Sequence, residues 1–155
     1  VSPKILVIGP GNPLRQDDGI GSEVVKMLGN SMPLEMKKEV SLRTEHQVDL
    51  AQADLIKDYE KVIFIDAPAS GENLPVIVKE LFPEAQSPSF TSHIGSIPVL
   101  LSITERVFGK APQCHLVAVK GGSFAFGTEL SAESKKNAAL GVKVVTDLVG
   151  KMIKK

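Results

Sequence analysis

Two apolar runs without alternation, Ile5-Leu6-Val7-Ile8 and Val62-Ile63-Phe64-Ile65, constrain this chain more than any other feature. A strand with one wet face alternates apolar and polar residues, so an unbroken run must be buried on both faces. The first run reads as a buried opening strand, Lys4 to Ile8. The second, Lys61 to Asp66, ends in an acid and reads as a central parallel strand. Strands covered on both sides need helices above and below them, which points to the α/β class.

The rest of the chain alternates to match. Ile20, Val24, Val25, Leu28 and Met32 recur at helical spacing and predict a first helix. Glu39 to Thr44 alternates as a second strand. Asp49 offers a helix N-cap with Gln52 three residues on as its reciprocal partner, and Leu50, Ala53 and Ile56 form that short helix's inner face. Val76-Ile77-Val78, flanked by prolines, predicts an edge strand. Residues 83–92 read as an ordered loop. A helix is expected from Ser96 through Phe108, with Pro98 in its first turn and Gly109 closing it. His115 to Val119 is the last strand. A final helix runs from near Ser131 to Lys155, with Leu140, Val144, Leu148 and Met152 on one stripe. Glu133 near its start and Lys151, Lys154 and Lys155 near its end complement the helix dipole. The expectation is one domain over residues 1–155, a three-layer α/β/α sandwich with a mostly parallel, about five-stranded sheet.

Composition narrows the function. A chain of 155 residues suits a single core. Lys and Arg together number 18, as do Asp and Glu, so the net charge is zero and gives no footprint for nucleic acid or anionic membrane. No apolar run reaches the roughly 20 residues a spanning helix needs, so membrane insertion is not expected. No secretory signal is visible, and the single cysteine, Cys114, cannot form an internal disulfide. A cytoplasmic protein is expected.

The first strand runs into Gly9-Pro10-Gly11-Asn12-Pro13-Leu14-Arg15-Gln16-Asp17-Asp18-Gly19-Ile20-Gly21. Glycine-rich loops after such strands often cradle phosphate. Here a dinucleotide fingerprint would need glycine where Leu14 stands, and no Gly-Lys-Ser/Thr ending makes a Walker loop. Two adjacent carboxylates would also repel a pyrophosphate. The loop is suited to a cation or a protein chain, and no organic cofactor is expected.

Ligands of open α/β sheets gather beyond the carboxyl ends of the strands. Asp18 follows the first strand, Asp66 ends the central one, and His93 precedes the helix expected at 96–108. Two carboxylates and an imidazole suit a divalent ion of borderline hardness and leave coordination positions open. Each has a plainer reading: Asp17 or Asp18 as a helix cap, Asp66 in a turn with Ala67-Pro68, His93 as an incidental loop residue. His46, just past the second strand, either touches the site or is a polar loop residue. Cys114 and His115 open a buried-looking strand and are structural, and Lys120-Gly121-Gly122 is a turn.

At these residues the sequence resembles the hydrogenase maturation endopeptidases, which trim the C-terminal tail of the nickel–iron hydrogenase large subunit. The resemblance rests on Gly9 through Gly19, on Val62-Ile63-Phe64-Ile65-Asp66-Ala67, on Ser92-His93, and on Gly127-Thr128-Glu129-Leu130-Ser131. Glu45-His46-Gln47-Val48-Asp49-Leu50 is similar to one branch of that family. The resemblance implies an endopeptidase acting on a nickel-loaded large-subunit precursor, its nickel met by Asp18, Asp66 and His93. Asn12, Asp17 and His46 would contact substrate. Nickel would arrive with the precursor, which is the expected partner. Two departures stand out: many relatives place an acid directly after the glycine where Thr128 stands, and some carry Glu where this chain has Asp18. A non-catalytic, chaperone-like binder of the metallated hydrogenase, and a small hydrolase with a resident metal, remain alternatives.

Overall fold

A computed structural model of the chain describes residues 3–11, 19–67, 74–85, 93–121 and 130–154, with residues 93–96 described by their backbone alone. The elements follow in the order β1 (Ile5–Pro10), α1 (Ile20–Ser31), α2 (Leu34–Lys37), β2 (Val40–Glu45), a 3-10 turn (Leu50–Gln52), α3 (Ala53–Ile56), β3 (Lys61–Asp66), β4 (Val76–Leu81), α4 (His93–Phe108), β5 (Gln113–Val119) and α5 (Ala132–Ile153). The strands form a single sheet in the order β2-β1-β3-β5-β4. Only β4 runs against its neighbour; β2, β1, β3 and β5 pair in parallel.

The unbroken apolar runs are explained by two separate cores. Val7, Ile63, Ile65, Val117 and Val119 face α1 and α5, packing on Val24, Leu28, Val145 and Val149. Leu6, Ile8, Val62, Phe64 and Leu116 face the other way, onto Ile56 of α3 and Ile97, Leu100 and Leu101 of α4. Successive residues of a strand point to opposite faces, so a strand inside three layers has no polar side. The expected α/β/α sandwich is what forms. No helix among the described residues is long and apolar enough to cross a membrane.

The first helix is drawn against the sheet without any side chain between. A Cβ on Gly9 would lie 2.2 Å from the Gly21 carbonyl oxygen, and one on Gly21 would lie 2.4 Å from the Ile65 carbonyl oxygen and 2.7 Å from that of Pro10. The glycines at both ends of the acidic segment therefore permit close backbone approach, which accounts for them without any phosphate. Gly11 adopts φ +148°, a backbone region open to glycine.

Several boundaries differ from expectation, each for a physical reason. The deep stripe of α5 is Ala138, Gly141, Val145, Val149 and Met152; Met152 faces inward as expected, but the rest lies one residue round, with Leu140 exposed and Val144 and Leu148 half-buried. Small residues face inward because the helix sits close: a Cβ on Gly141 would already lie 3.0 Å from Val119 Cγ2. The capping box at Asp49 forms, with Ala51 N–H donating to Asp49 Oδ1 at 2.8 Å and Asp49 N–H donating to Gln52 Oε1 at 3.2 Å. It opens a 3-10 turn, however, and Leu50 is left exposed while Ala53 and Ile56 are buried. Helix α4 starts at His93, three residues early, so Pro98 lies in its second turn. There it cannot donate to the Ile94 carbonyl, while its own carbonyl accepts from Glu84 N–H at 3.0 Å. Gly109 closes α4 as expected, at φ +85° with its N–H on the Glu105 carbonyl. Strand β4 is an edge strand as expected, but extends to Leu81, while β1 reaches Pro10 and β5 begins at Gln113.

Candidate active site at the carboxyl end of the sheet

From β1 the chain crosses to β2 on one side, and from β3 the sheet grows to the other, so the topology reverses between β1 and β3. Crevices at such reversals, beyond the carboxyl ends of the strands, are where open α/β sheets bind ligands. Asp66 is the last residue of β3 and stands at this crevice. Ile8 pairs with Phe64, so two residues on, Asp66 lies level with Pro10, the last residue of β1.

Asp66 is only 2% exposed. Its Oδ1 accepts from the Ala67 N–H at 2.9 Å, which fixes the carboxylate against the turn leaving the strand. A buried carboxylate is costly unless donors or cations face it. Asp66 meets one such donor in the Ala67 N–H; Pro68, the other residue of the expected turn, lies outside the described residues.

The segment after β1 begins and ends at the same crevice. Gly11 N–H donates to the carbonyls of Glu45 and His46 at 3.0 and 3.2 Å, which tethers the end of β1 to the end of β2. Ten residues later Gly21 packs on the carbonyls of Ile65 and Pro10. Asn12, Asp17 and Asp18 fall between these anchors and lie outside the described residues. His46 is exposed, its backbone holding Gly11.

His93 is the first residue of α4, inside the helix rather than before it; its side chain lies outside the described residues. Topology places it. Helix α4 has 16 residues and β5 has 7, lengths of about 24 and 23 Å. The helix delivers the chain to the start of β5, so its own first turn lies at the carboxyl end of the sheet. Among the described residues no three His, Cys, Asp or Glu side chains are grouped to hold a metal.

No protein-family profile matches the chain, and no curated protein sequence matches it. Solved structures do. The hydrogenase-maturating endopeptidase HybD of E. coli superposes with a TM-score of 0.76 at 22% identity, over 96% of this chain and 93% of that one. The hydrogenase 2 maturation peptidase of a Thaumarchaeota archaeon gives a TM-score of 0.67 at 26% identity, over 95% and 98%. The NiFe hydrogenase maturation protease HycI of Thermococcus kodakarensis gives 0.68 at 21% identity, over 95% and 92%. The chain has the fold of the hydrogenase maturation endopeptidases.

Within this maturation-endopeptidase fold the remaining candidates take supporting places. Cys114 is buried on the α4 side of the sheet, and burial, with a smaller contribution from the Glu80 charge, pushes its thiol up to about 12. A thiol held neutral is no nucleophile, as its position at a buried strand suggested. His115 Nε2 faces Glu80 Oε1 at 4.0 Å, at the far end of the sheet from Asp66. One positioning residue escaped the sequence reading. Asn137, 6% exposed on α5, donates from Nδ2 to the Lys120 carbonyl at 3.0 Å and ties that helix to the carboxyl end of β5. A lone amide within an apolar stripe was the signal for it.

Proposed function

We propose that this chain is an endopeptidase that removes the C-terminal extension of a nickel-loaded NiFe hydrogenase large-subunit precursor. The observation that carries the reading is a buried, oriented carboxylate, Asp66, at the topological reversal of a fold shared nearly end to end with maturation peptidases. Asp18, Asp66 and His93 meet the nickel that the precursor brings. Two carboxylates and one imidazole bind a free divalent ion weakly beside histidine-rich zinc sites, and they leave positions for the precursor's own ligands. Such a set inspects a metal rather than keeping one.

Docking through the metal turns cleavage into a positioned reaction. The scissile peptide is held against the crevice, so attack by water becomes effectively intramolecular. The nickel polarises the peptide carbonyl or lowers the pKa of a bound water. Asp66 contributes a carboxylate already oriented by the Ala67 N–H, which limits reorganisation when the substrate arrives.

Incubation with nickel-loaded precursor, followed by the mass of the large subunit, tests the reading. The expected result is loss of the C-terminal extension by the native protein. Asp66→Asn keeps the side-chain shape and should slow processing by about 100-fold or more. An unchanged precursor mass alongside a stable complex would favour the non-catalytic binder. Stoichiometric metal retained by the purified protein would favour a hydrolase with its own ion.

A further inference from the structure

At the opposite, amino end of the sheet lies a cleft of about 450 Å³ that the endopeptidase reading does not use. It sits where β3 and β5 begin and α5 ends. Lys61 projects to it from β3, and Lys151 and Lys154 from the last turn of α5 and its cap. None of these three lysines makes an ion pair among the described residues. The one acid in the lining, Glu80, is engaged by neighbours in the cleft: Gln113 Nε2 donates to its Oε2 at 3.4 Å, and His115 Nε2 faces its Oε1 at 4.0 Å. Leu148 and Met152 form the apolar part of the wall, backed by the core on the α5 side.

Complementing the helix dipole explains a cation at the end of α5, but it has no claim on Lys61, which arrives from a strand. In a chain with 18 cationic and 18 acidic side chains, three lysines against one glutamate in one concavity are a local excess of positive charge. A concave site with low-dielectric walls focuses such a field. Its volume falls within the range of small-molecule pockets, roughly 300–1,000 Å³. A bare inorganic anion would leave the half-buried Leu148 uncovered, and a cation would meet three like charges. We propose that this cleft binds a small organic anion, a carboxylate or phosphate carried on a hydrocarbon body. The anionic group meets Lys61, Lys151 and Lys154, and the body covers Leu148 beside the edge of Met152.

The test is an amide NMR titration of the full chain with hexanoate, hexylammonium and inorganic phosphate in parallel. Hexanoate should shift the amides of Lys61, Gln113, His115 and Lys151 and leave Asp66 and Ala67 unmoved. Hexylammonium should shift none of them, and phosphate should bind more weakly than hexanoate. Lys61→Glu combined with Lys151→Glu should weaken hexanoate about tenfold, with processing of the precursor unchanged. Lys154→Glu, at the exposed helix end, repeats the measurement should the double variant fail to fold. Absence of localised shifts, equal binding of hexylammonium, or undiminished affinity in the charge-reversed variants would overturn the proposal. Phosphate binding as tightly as hexanoate would remove the hydrocarbon body from it. The hexanoate titrations do not depend on substrate cleavage, so the endopeptidase reading stands or falls separately.

Discussion

The two ends of the sheet are joined by the same two cores and differ in how closely the chain packs around them. At the carboxyl end, backbone meets backbone: Gly9 and Gly21 leave no room for a methyl group between α1 and strands β1 and β3. Toward the amino end the same helix packs through side chains, Leu28 and Met32 being buried, and a Cβ on Gly29 would meet nothing nearer than Leu42 Cδ1 at 3.9 Å. Each end also buries an acid, Asp66 at the close of β3 and Cys114 near the start of β5. Asp66 is met by a backbone donor, whereas the Cys114 thiol reaches the His115 carbonyl at 4.0 Å. Burial alone does not make a site. A donor such as the Ala67 N–H fixes the direction of a buried acid, whereas burial of the Cys114 thiol raises its pKa and keeps it neutral.

The sharpest way to break this contrast is Gly21→Ala. Its methyl group would meet two carbonyl oxygens that belong to strands, so no side chain can move aside. Destabilisation of about 3 kcal/mol or more is expected, read as a lower urea midpoint. A midpoint within experimental scatter of the native protein would show that the carboxyl end is not tightly packed.

Alkaline pH probes the acid at the other end. The Cys114 thiol is raised from an ordinary 9.0 to about 12 in the folded chain. Its contribution to stability is therefore complete below pH 9 and is lost progressively as pH rises from 9.0 through about 12, because the unfolded thiol ionises first. Urea midpoints measured across that window should fall, and Cys114→Ala should flatten this part of the slope. An equal slope in the variant would assign the loss to other groups.

The smallest effect should carry the opposite sign. Gly29→Ala, near the end of α1, is expected to stabilise by about 0.5–1 kcal/mol, since alanine is the better helix former and nothing is displaced. A destabilised Gly29→Ala would mean that the space beside Gly29 is as closed as that beside Gly21.

The central strands were readable because burial on two faces writes itself as unbroken apolar sequence, and β3 matches its expected limits at both ends. Asp66 was readable for the same reason, being the polar residue that stops such a run. The inner face of α5 was not. Hydropathy favoured Leu140, Val144 and Leu148, but the helix turns its smaller residues inward because the distance to Val119 and Val24 admits nothing larger at Gly141. The start of α4 was obscured by Pro98, which belongs at a helix beginning by its own geometry and here is tolerated a turn later. The lysine-rimmed cleft could not be seen at all, since Lys61 is separated from Lys151 and Lys154 by most of the chain.

Taken alone, the order of residues determined the layer architecture, the central strands and the acid that ends one of them, because each depends on neighbours within a few positions. Which strand lies beside which, how closely a helix may approach, and which distant charges share a concavity were decided only in three dimensions. Those outcomes depend on contacts between segments far apart in the chain, and periodicity within one segment carries no information about the distance to another.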